Sequence, residues 1–129
     1  MAISMQTNDT IQLARIAEIE QTKKILASFK SQQSAISKYL ALLVKQLGTE
    51  TERLWEQGFL QNKDLSEMIV LHPTMVATDK IMFLDYLVQD SDLNNAITAY
   101  TAILKTQKRR MKEFEKKAEM RSALEQYLK

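Results

Sequence analysis

IEQTKKILASFKSQQSAISKYLALLVKQLGTETERL, residues 19–54, decides the fold. Within it Ile19, Thr22, Leu26, Phe29, Gln33, Ile36, Leu40, Leu43, Leu47, Glu50 and Leu54 follow one another at alternating steps of three and four. Most of these positions are apolar. Sustained over about five heptads, the pattern describes a long helix with one stripe that a partner helix must cover.

A matching stripe lies downstream. Phe83, Tyr86, Asp90, Leu93, Ile97, Tyr100, Leu104, Gln107, Met111, Phe114 and Ala118 keep the same spacing, which then slips by one position to Met120, Leu124 and Tyr127. Folding the stripes back on each other with facing numbers summing to 140 sets Leu47 against Leu93, Leu54 against Tyr86 and Leu40 against Tyr100. The same register brings Gln33 to Gln107, where two amides can satisfy each other. Its centre is residue 70, beside the firmest break in the chain.

That break is His72-Pro73-Thr74. Proline has no N–H to give and steers the preceding residue away from helical geometry. Elsewhere breakers are rare, since the 129 residues hold two Gly and one Pro, too few for a turn-rich β fold. The expected layout is one helical domain over residues 1–129. Residues 1–9 form a flexible arm, with Asn8, Asp9 and Thr10 as N-caps, and 10–60 form the first long helix. Residues 63–72 form a short helix capped by Asn62 and a turn, and 74–129 form the second long helix. Gly48, before the capping-box sequence Thr49–Glu52, is a weak point through which the helix is expected to continue. The residues around Asp90 and Asp92 offer a second break. The fold class is therefore all-α, a long antiparallel two-helix hairpin. The alternative is a compact four-helix bundle, reached if both weak points break.

The chemistry the chain can carry is limited. It has no Cys, and hence neither a disulfide nor a thiolate. Its only histidine, His72, sits before a proline with no nucleophile or orienting acid in sequence context, and reads as a turn residue. The Glu-x-x-His pattern of di-metal bundles and the glycine-rich phosphate loops are missing from the sequence. No enzymatic role, metal or cofactor is expected. MAISMQTNDT lacks the basic and apolar regions of a secretory leader, and no apolar run approaches the roughly 18–20 residues of a membrane span. A cytoplasmic location is expected, or a virion if the chain is of phage origin.

Charge is more informative. Residues 64–92 hold one Lys against six acids, while 93–129 hold nine Lys or Arg against four acids. The acidic middle and basic tail bear on partners rather than on fold. Lys105, Lys108, Arg109, Arg110, Lys112, Lys116 and Lys117 are the candidate partner-binding residues, with Lys23, Lys24 and Lys30 alongside in the 140 register. An acidic protein surface is the expected partner. A homo-oligomer and nucleic acid are alternatives, the latter because a basic helix face is also a phosphate footprint. Trp55, Phe59, Met68, Leu71 and Met75 form a candidate hydrophobic tip near the turn.

The two long helices, the basic C-terminal helix and the phrase Phe83-Leu84-Asp85-Tyr86-Leu87 followed by Ile97 and Gln107 resemble the stalk proteins of flagellar and type III secretion export apparatus. The resemblance implies a non-enzymatic cytoplasmic coiled coil whose terminal half enters the ring of the export ATPase. It assigns no role to any single residue. The expectation is thus a coiled-coil interaction protein, a stalk or assembly adaptor. A phage or viral structural, scaffolding or host-modulating helical protein is the first alternative, and a nucleic-acid-binding helical protein the second.

Overall fold

The computed structural model describes residues 2–128, with side chains from Thr10 onward. These residues form four helices and, among the described residues, no strand: α1 (Ala2–Leu47), α2 (Thr49–Glu56), α3 (Asn62–Leu71) and α4 (Ala77–Tyr127). The chain is all-α, as its periodicity requires. α1 begins at Ala2 rather than Ile11, so Thr10 lies inside a helix and does not start one. The side chains of Asn8 and Asp9 lie outside the described residues.

The expected continuation through Gly48 does not occur. Gly48 has φ +119° and ψ 163°, a conformation open almost only to glycine, and it ends α1. Its carbonyl then accepts the Glu52 N–H at 3.0 Å and restarts the helix as α2. The Thr49–Glu52 box does not form. Gly48 itself is the cap, and the Thr51 hydroxyl donates back to the Leu47 carbonyl at 3.4 Å. α2 ends where Gly58 takes φ +80°. The Phe59 N–H reaches the Leu54 carbonyl and the Gly58 N–H the Trp55 carbonyl, which together make a Schellman cap.

α3 is capped by Gln61, whose N–H donates to the Asp64 carboxylate at 2.8 Å, and not by Asn62. It stops at Leu71, before His72-Pro73, where the sequence ends it. His72 is extended, and its Nδ1 accepts the N–H groups of Thr74 and Met75 at 3.3 and 3.0 Å. The lone histidine is a turn cap. α4 starts at Ala77, three residues later than expected, and runs unbroken through residues 89–92. Of the two breaks the bundle alternative needs, only Gly48 is real.

The chain divides into two compact units. The central unit is Ser28–Ile97; the terminal unit is Met1–Ala27 with Thr98–Lys129. In the central unit Ile36, Leu40, Leu43 and Val44 of α1, Leu65 and Ile69 of α3, and Phe83, Leu87 and Leu93 of α4 form one core. α2 buries no residue fully but lays Trp55 against this core. Val44 and Leu87 lie off the heptad stripe, and α3 supplies the third wall that buries them. In the terminal unit Ile19, Thr22, Leu26 and Met111 are buried, and Phe114 is half-buried beneath the Arg15 guanidinium, 4.9 Å from its ring centroid.

The α1 stripe from Ile19 to Leu47 is buried or half-buried at every predicted position, and so is the α4 stripe from Phe83 to Phe114. The register is not the predicted one. Tyr39 stacks on Tyr86 with ring centroids 4.8 Å apart, and Gln33 donates to Asn94 rather than to Gln107. In the terminal unit Arg15 donates to the Arg110 carbonyl at 3.3 Å. Facing numbers sum to 125–129, about two heptads below 140. A slip of whole heptads preserves the stripe and changes every partner. Ala118, Met120, Leu124 and Tyr127, read as the end of the α4 stripe, are exposed.

Candidate functional site

α4 holds the basic run because nothing between Ala77 and Tyr127 breaks a helix: the segment contains neither Gly nor Pro. At 3.6 residues per turn, Lys105, Lys108, Arg109, Lys112 and Lys116 fall on one stripe, away from the inward positions Gln107, Met111 and Phe114. Lys105, Lys108, Arg109 and Lys112 line a shallow open groove with Ala102 and Thr106 as its small residues. All five cations are exposed. Among the described residues the one ion pair on the stripe is Arg109 Nε to Glu113 Oε1, at 3.9 Å. An exposed pair at that distance contributes at most about 1 kcal/mol. The stripe is thus a concentrated positive surface with little internal compensation.

Two predicted members stand apart from it. Arg110 lines a different groove with Ile11, Ala14, Arg15, Glu18 and Gln107, and Lys117 shares its side of the helix. Lys23 pairs with Glu20 at 3.3 Å, and Lys30 belongs to the central unit. In the observed register the basic run faces the α1 segment around Arg15. In the same groove Gln107 Oε1 is buried with no hydrogen-bond partner among the described residues, and Gln33, the amide predicted to meet it, bonds Asn94.

The candidate tip also divides. Trp55, Met68 and Met75 pack against the central core, whereas Phe59 and Leu71 are 71% and 79% exposed.

A polar relay was not foreseen as a unit. In the central unit Gln33 donates to Asn94 Oδ1, and Asn94 Nδ2 donates to Asp90 Oδ2 at 3.3 Å. Asn62 Nδ2 donates to the same carboxylate oxygen at 2.8 Å and to Ser91 Oγ at 3.1 Å. Asp90 is buried, and these bonds tie α1, α3 and α4 to one carboxylate. The signal was its inward stripe position: an acid on a buried seam needs donors from its neighbours. Within the central unit the relay pins α3 to the α1–α4 pair.

Among the described residues no three His, Cys, Asp or Glu side chains gather as metal ligands, and no helix is long and apolar enough to cross a membrane. Comparison with known protein families, curated proteins and solved structures gives no match.

Proposed function

We propose that the chain is a non-enzymatic helical interaction protein that binds an acidic protein surface through the α4 stripe of its terminal unit. The observation that carries this reading is the gathering of Lys105, Lys108, Arg109 and Lys112 around one groove, with a single long ion pair to offset them. Arranged charge of this kind steers encounter and sets partner choice, while lysine and arginine stems supply contact area. Arg110 and Lys117 contribute to the field without lining the groove. The hairpin of α1 with α4 belongs to the same proposal and is supported by Arg15 reaching both Arg110 and Phe114. A stalk or assembly adaptor of the export-apparatus kind, in the cytoplasm, is the form of interaction protein that the helix lengths favour.

The test is fluorescence anisotropy with a labelled Glu-rich peptide and a single-stranded oligonucleotide of equal charge. The peptide should bind, more weakly as salt rises, and the Lys108→Glu/Arg109→Glu/Lys112→Glu variant should lose it at unchanged helicity. Binding of the oligonucleotide without the peptide would overturn the reading in favour of nucleic acid. Binding by the charge-reversed variant would remove the stripe from it.

A further inference from the structure

α4 also carries an outward stripe in the central unit. Ile81, Asp85, Val88 and Asp92 recur at steps of four, three and four on the side away from the inward Phe83, Tyr86 and Asp90. Relative to the heptad stripe, Ile81 and Val88 occupy the position farthest from the partner helix, which a solvated helix fills with polar residues. They are 69% and 58% exposed. Asp85 accepts from Gln89 Nε2 at 2.7 Å, and Asp92 is exposed. A single exposed Ile or Val needs no explanation. Two on one stripe, one heptad apart and alternating with acids, form an apolar face with a charge pattern.

That pattern matches the basic groove. Asp85 and Asp92 are seven residues apart, as are Lys105 and Lys112, so both pairs span about 10 Å along a helix. Val88 lies between the acids, while Ala102 and Thr106 offer the small surface among the cations. The two sets are twenty residues apart on the unbroken α4, so neither can meet the other within one helix. We propose that the acidic partner of the basic groove is a second copy of this chain, docked through its Ile81–Asp85–Val88–Asp92 face. The inference rests on the reading of the groove as an acidic-protein site and names its occupant. Since each copy carries both surfaces, association joins unlike patches, by mutual pairing or by head-to-tail growth.

Sedimentation equilibrium of the full chain tests it at low and high salt, over micromolar to near-millimolar concentration. The wild type should self-associate at low salt and weaken at least tenfold at high salt. Lys105→Glu/Lys112→Glu and Asp85→Lys/Asp92→Lys should each be monomeric alone and should associate when mixed, because the swap restores opposite charge. Ile81→Ser/Val88→Ser should weaken association at least tenfold with helicity unchanged. A wild type that stays monomeric at low salt overturns the proposal, as does a mixture of the two reversed variants that remains monomeric while the wild type associates. If the monomeric wild type still binds the Glu-rich peptide, the second copy is wrong and the acidic-partner reading stands. If it binds neither, both fall.

Discussion

The two units use the same seven-residue stripe to different depths. In the central unit Leu43, Val44, Leu65, Ile69 and Leu87 are below 2% exposed, whereas the least exposed side chain described in the terminal unit, Thr22, is at 6%. The difference is α3. Two helices can cover only a seam between them, and a third wall lets flanking positions such as Val44 and Leu87 become core. The central unit also meets its buried carboxylate with donors from two further positions, while the terminal unit leaves Gln107 Oε1 unpaired. One unit is built for packing, and the other keeps its outer surface for charge.

The register that separates the two arrangements can be broken outright. Cysteines replacing Tyr39 and Tyr86 should join within one chain through a short bismaleimide, while cysteines replacing Leu47 and Leu93 should not. The reverse result would restore the 140 pairing. Next in size, Leu65→Ala should cost about 2–5 kcal/mol by urea unfolding, because it removes a side chain from the wall that distinguishes the central unit. A cost below about 1 kcal/mol would mean α3 is not part of that core. Asp90→Ala removes the buried acceptor shared by the Asn62 and Asn94 amides, and about 1–3 kcal/mol should be lost, with α3 amides exchanging faster than those of α1. Uniform exchange across both helices would deny the relay its role in holding α3. The smallest effect lies in the terminal unit. Gln107→Leu removes a buried acceptor without a donor and should stabilise by about 1 kcal/mol. Destabilisation would show that the amide is bonded in solution.

The basic stripe was legible because it depends only on residue type and helical pitch. Lys105, Lys108, Arg109 and Lys112 converge wherever α4 is helical. Arg110 and Lys117 belong to the same basic run, but each follows a stripe residue by one position, about 100° around a helix, and so lies on another side. The expected placement of Lys23, Lys24 and Lys30 beside the run rested on the 140 register, which periodicity alone cannot choose. Trp55 on α2 and Met68 on α3 read as tip residues because sequence does not say which side of a short helix meets a core, and Met75 packs against that core from the connection before α4.

From sequence alone came the all-α class, the inward stripes from Ile19 and from Phe83, and the stop before His72-Pro73, all consequences of local geometry and hydrophobic period. Tertiary structure alone decided which turns of α1 and α4 face each other, that α3 joins the core, and that Asp90 is an acceptor shared by Asn62 and Asn94. The physical reason is a degeneracy. A seven-residue pattern is unchanged by a slip of whole heptads, so its periodicity cannot choose among registers. That choice falls to features without the period. These are the connection through α2 and α3, set by the +119° turn at Gly48, and the polar pairing of Gln33 with Asn94.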